Sequence, residues 1–177
     1  MFGRHDGSPA PLTTDYLVQR RPAAFSGDFW IGNGLGQPVF HVAGTLLRLR
    51  KDFTIEDATG QELLRARSRV LRVRETMVIE REGRTVATLH ENLVGLRSQM
   101  SVELEEGGQL RLQGDVAEHD YTISHGGAAV AQVSGRRVHA HDAYGVSIAQ
   151  GHDDVLLLAV AVCADALTPQ SSDRDEG

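Results

Sequence analysis

The sequence predicts a mainly β fold, a closed antiparallel barrel of about 12 strands enclosing a C-terminal hydrophobic helix. Three observations predict it. Apolar and polar residues alternate with period two across most of Asp15 to Gln150. Glycine-bearing turns recur between the alternating runs. An uninterrupted apolar run, Val155 to Ala164, then closes the domain.

The chain of 177 residues is long enough for one domain with a sizeable core. Met1 to Thr14 reads as a flexible N-terminal arm and 168–177 as a disordered tail, leaving a single domain over 15–167. Within it, half-buried strands show as Phe53 and Ile55 against Thr54 and Glu56, and as Met100, Val102 and Leu104 against Ser101, Glu103 and Glu105. Tyr121 and Ile123, then Ala129, Ala131 and Val133, then Tyr144, Val146 and Ile148 continue the alternation. A degenerate repeat of strand, glycine turn and strand lies over it at Phe29–Phe40, Phe53–Leu64, Met77–Ala87 and Tyr121–Val130. In each, glycine supplies the positive φ that a tight hairpin needs. Further strands are expected near 15–21, 45–50, 100–105, 109–117 and 143–149.

The run from Val155 has no polar stripe, so as a helix it must be enclosed by protein or lipid. It is well short of the roughly 18 residues that cross a bilayer. A helix over 153–167 buried by protein is therefore expected, capped by Asp153 or Asp154 and stopped before Pro169. With side chains it is about 10–12 Å across. A barrel of about 8 strands is filled by its own side chains, whereas about 12 strands leave room for a helix.

This order of elements resembles the LURP-one-related family, which shares its fold with tubby C-terminal domains and phospholipid scramblases. The residues that carry the resemblance are the Phe53-x-Ile55-x-Asp57-x-x-Gly60 pattern, the Tyr121-x-Ile123 and Val130-Ala131 strands, Tyr144-Gly145-Val146-Ser147-Ile148, and the apolar helix ending in Ala164-Asp165. The resemblance covers about 15–167. It implies a twelve-stranded barrel threaded by its C-terminal helix. Through the tubby-like relatives it also implies a basic face that binds anionic lipid head groups.

The net charge is −6 and unevenly spread: residues 1–100 carry 14 Lys+Arg against 11 Asp+Glu, and 101–177 carry 4 against 13. An acidic chain of this kind is not expected to bind nucleic acid. Its basic residues cluster instead as a candidate anion- or lipid-binding set: Arg48, Arg50, Lys51, Arg65, Arg67, Arg69, Arg72 and Arg74. Arg65, Arg67 and Arg69 alternate along one strand, and Arg72 and Arg74 continue after a phase shift that reads as a bulge. The planar guanidinium fork suits phosphate. The same residues also read as a solvated outer barrel face whose charges pair with Glu62, Glu75 and Glu80.

Other groups point to bland roles. His139, His141 and Asp142, with His119 and His125, read as surface loop residues rather than metal ligands. Gly32-Asn33-Gly34-Leu35-Gly36 precedes a strand and not a helix, so it reads as a hairpin turn, not a dinucleotide loop. Cys163 reads as a small core hydrophobe. Trp30 and Phe29 read as core or rim packing. No nucleophile elbow appears. The expectation is a non-enzymatic, cofactor-free module, cytoplasmic and peripheral at a membrane, that binds anionic phospholipid head groups or a protein partner. A small-ligand-binding barrel and an uncharacterised enzyme are the alternatives.

Overall fold

The computed structural model describes residues 11–20, 28–47, 50–71, 74–94, 97–135 and 143–168. Among them the chain forms β1 (Thr13–Arg20), β2 (Phe29–Asn33), β3 (Pro38–Leu47), β4 (Arg50–Asp57), β5 (Glu62–Leu71) and β6 (Arg74–Arg81). It continues with β7 (Arg84–Val94), β8 (Arg97–Leu104), β9 (Gln109–Asp115), β10 (Asp120–His125), β11 (Ala128–Ser134), β12 (Ala143–Ala149) and α1 (Asp154–Leu167). Each strand pairs antiparallel with its chain neighbours, and β1 pairs also with β12, so the sheet closes into a barrel. The closing ladder runs from Thr13 opposite Ala149 to Gln19 opposite Ala143. Most of Met1–Thr14 lies outside the described residues, as does all of 169–177, and β1 already begins at Thr13.

Period-two alternation decides which side chains enter the lumen. Phe53 and Ile55, Leu64 and Ala66, Met77 and Ile79, and Ala87 and Leu89 are all buried. They pack with α1, in which Leu157 through Ala164 are buried without a break. Complete burial of Leu158 and Val160 contributes about 1.5–3 kcal/mol each. The expected barrel with its helix inside is the fold observed.

Local chemistry holds the helix along the axis. Asp153 is its N-cap, accepting the Leu156 backbone N–H at 3.1 Å. Its carboxylate also meets Arg81 Nη2 at 2.8 Å, and Tyr16 Oη donates to Asp154 at 2.6 Å. At the other terminus the Thr168 hydroxyl donates to the Ala164 carbonyl at 2.8 Å. The helix therefore runs from an entry end, shared with the β2–β3, β4–β5, β6–β7, β8–β9 and β10–β11 turns, to an exit end, where His119 meets Asp165.

The entry-end turns show why short polar residues and glycine recur there. Asp57 Oδ1 accepts the backbone N–H groups of Thr59 and Gln61 at 2.8 and 3.0 Å and the Thr59 hydroxyl at 2.6 Å. Gly60 completes the turn at φ 85°. Inside the sheet, Gly44 has φ 150° where β3 crosses close to β4. A Cβ there would collide with the Asp52 carbonyl and lie 2.6 Å from Phe53 Cα. This is the close approach that glycine permits where a barrel bends.

Candidate anion-binding face

On β5 the apolar residues Leu64 and Ala66 turn inward, so Arg65, Arg67 and Arg69 stand on the outer surface. The three differ in what they meet. Arg65 Nη2 lies 2.7 Å from Glu62 Oε2, its Nε donates to Glu62 Oε1 at 3.3 Å, and its Nη1 is 3.7 Å from Asp52 Oδ1. Its guanidinium pKa is raised, chiefly by the hydrogen bond to Glu62. Arg67 Nη2 lies 3.4 Å from Glu80 Oε2. Arg69 is exposed, and its guanidinium meets no carboxylate among the described residues. Only its backbone carbonyl is engaged, by the Thr76 hydroxyl at 3.2 Å.

Lys51 departs from the expected placement. It stands two residues before Phe53 and four before Ile55, so strand alternation turns it inward with them. It is 8% exposed, and Nζ donates to both Glu75 oxygens at 2.9 and 2.8 Å. Alternation therefore keeps Lys51 off the outer face on which Arg65, Arg67 and Arg69 stand. Glu62 and Glu80 are engaged by Arg65 and Arg67, as the solvated-face reading expects, whereas Glu75 pairs with the inward Lys51.

The phase shift after Arg69 is not a bulge. β5 ends at Leu71, which pairs with Arg74 at the start of β6. The expected strand at 45–50 is likewise two strand ends, with Leu47 of β3 opposite Arg50 of β4. Arg50 and Arg74 thus open their strands at the exit end, while Arg48 and Arg72 lie outside the described residues.

The remaining candidates scatter. His139, His141 and Asp142 lie outside the described residues. His125 ends β10 on the surface. Among the described residues no group of three or more His, Cys, Asp or Glu is arranged to hold a metal. In the Gly32–Gly36 segment, Asn33 Oδ1 accepts the backbone N–H groups of Leu35 and Gln37, which makes it a hairpin turn. Phe29 is buried in the lumen, and Trp30 stands outside against His41, ring centres 4.7 Å apart. Cys163 is buried, which pushes its thiol pKa up and keeps it protonated.

His119, expected on the surface, joins a cluster where α1 leaves the lumen. His119 Nε2 is 2.8 Å from Asp165 Oδ1, and its ring stacks on Tyr144 at 4.4 Å. Nearby burial pushes the Tyr121 hydroxyl pKa up. The available signal was Asp165 itself, since a carboxylate at the end of an apolar buried helix needs a partner.

Comparison with known proteins agrees with this architecture. A family model described as LURP-one-related matches residues 14–165. An X-ray structure of a protein from Arabidopsis thaliana superposes with a TM-score of 0.63, covering 88% of this chain and 91% of that one at 19% identity, a likeness of fold. No curated protein matches the chain. Among the described residues no helix is long and apolar enough to cross a membrane.

Proposed function

We propose, for a chain that belongs to the LURP-one-related family, a non-enzymatic binding module that takes anionic lipid head groups on the basic surface of β4–β6. The observation that carries this reading is the difference along β5. Arg65 and Arg67 are paired with Glu62, Asp52 and Glu80, whereas Arg69 offers an exposed guanidinium with no carboxylate beside it among the described residues. A guanidinium left without a local counterion retains its donors for phosphate. The alternative of a ligand held in the lumen is disfavoured because α1 occupies the barrel axis and Leu158, Ala159, Val160 and Ala161 are fully buried there. The protein would then act as a peripheral protein on the cytoplasmic side of a membrane.

Co-sedimentation with phosphatidylcholine vesicles, with and without phosphatidylserine, tests the reading. Binding is expected only to the anionic vesicles and should weaken as salt rises. Arg69→Ala should weaken it about fivefold, the contribution of one cation near an anionic surface, and Arg65→Ala should leave it within about twofold, as for a charge already spent on carboxylates. Equal sedimentation with both vesicle types, or none at low salt, would refute the assignment.

A further inference from the structure

The structure assigns the membrane contact to the exit end of the barrel, so that the domain docks end-on, with the helix axis towards the bilayer, rather than on its flank. This rests on the anionic-lipid reading above. Three successive hairpins reach the exit end with the same terminal ladder pair, an apolar residue opposite an arginine. Leu47 pairs with Arg50, Leu71 with Arg74, and Val94 with Arg97. Their backbones therefore place three arginines on one rim, at the first residues of β4, β6 and β8. Neighbouring strands are about 4.8 Å apart, so the arc from β4 to β8 spans about 19 Å. Arg69, two residues from the end of β5, adds its exposed guanidinium beside the same arc. It is the β5 arginine nearest the rim, and the two paired ones lie progressively farther from it.

The opposite end of the barrel carries charge opposite to that of the β4–β8 arc. Its turns and the start of α1 contain seven carboxylates, among them Asp57, Glu82, Glu105 and Asp153, against Arg81 and Arg84. An anionic surface attracts the β4–β8 arc of the first end and repels the second end, which orients the barrel before contact. Turn chemistry divides the same way. Entry-end turns use Gly, Asn and Asp, such as Asp57 with Gly60 and Asn33 with Gly36, as tight hairpins require. The three exit-end ladders instead close on Leu, Leu and Val opposite Arg. Apolar residues interleaved with arginine fit a lipid interface better than an acidic protein surface, because that interface offers phosphate and hydrocarbon together. On the same rim, Asp115, Glu118 and Asp120 around the β9–β10 turn confine the contact to the β4–β8 arc.

The test compares two triple variants of equal charge in the whole chain: Arg50→Ala/Arg74→Ala/Arg97→Ala on the rim, and Arg65→Ala/Arg67→Ala/Arg111→Ala on the flank, where Arg111 is exposed at the third residue of β9. Affinity is measured for phosphatidylserine-containing vesicles, with soluble polyglutamate as competitor and thermal melting as the check on folding. The rim variant is expected to lose about a hundredfold in affinity and the flank variant less than about fivefold. A flank loss equal to or greater than the rim loss would overturn end-on docking while leaving lipid binding intact. Polyglutamate displacing the protein as well as excess vesicles do would overturn the membrane as the partner of this rim. Failure of the unsubstituted protein to prefer anionic vesicles would instead remove the parent reading. Should the rim variant melt early, Arg50→Lys/Arg74→Lys/Arg97→Lys keeps the charge, and it must then retain most of the affinity.

Discussion

Lys51 shows how one strand position can reverse the meaning of a charge. Three donors on a compact ammonium would suit an external anion, but alternation carries Lys51 into the barrel, where Glu75 takes two of them. Removing the cation alone leaves a carboxylate in a partly buried setting. Lys51→Met should therefore cost stability toward the lower end of the roughly 3–5 kcal/mol seen when a buried pair is broken. The double variant Lys51→Met/Glu75→Leu should recover most of that loss. Urea denaturation of the two variants checks both statements, and a double variant no better than the single would show that the pair contributes by packing. This inward turn was legible in the sequence, because Lys51, Phe53 and Ile55 share one parity. The pairing of His119 with Asp165 was not, because 46 residues separate them and only the closed sheet brings the β9–β10 turn beneath the helix terminus.

At the level of elements, glycine and period two made the entry-end hairpins readable. Phe53–Leu64 and Tyr121–Val130 are hairpins with polar, glycine-bearing turns where expected. The β3–β4 and β5–β6 connections at the exit end lack that punctuation. Leu47-Arg48-Leu49-Arg50 keeps its alternation through the reversal, so it reads as one strand, and Arg69 to Arg74 reads as a bulge for the same reason. The helix was legible because ten apolar residues in succession fit no half-buried strand. Its packing makes a quantitative demand. Leu158 is fully buried among strand residues, so Leu158→Ala should cost about 2–5 kcal/mol by thermal or chemical denaturation. A cost below 1 kcal/mol would mean that the lumen around the helix repacks freely.

For the whole molecule, the order of strands followed from their sequential hairpins, but closure did not. Nothing local in Thr13–Arg20 names β12 as its partner; the width needed to hold a helix was the reason to expect a closed cylinder. Closure also sets the charge pattern, since an up-and-down barrel sends alternate connections to opposite ends. It follows that β1 is a keystone strand. Deleting residues 1–20 would leave β12 and β2 as unpaired edges, which recruit other chains. Light scattering of the truncated protein should show aggregation at concentrations where the full chain stays monodisperse, whereas a monodisperse truncated chain would mean that β2 and β12 can meet directly.

The rod at the centre follows all twelve strands in chain order. During synthesis the sheet emerges from the ribosome before the piece it must wrap, at about 5–20 residues per second. The nascent chain must therefore hold an apolar concave surface without its filling until the last turn of α1 is released. Chaperone capture, or pausing while α1 is being made, would act on that interval, and the domain can complete its fold only after translation has passed Leu167.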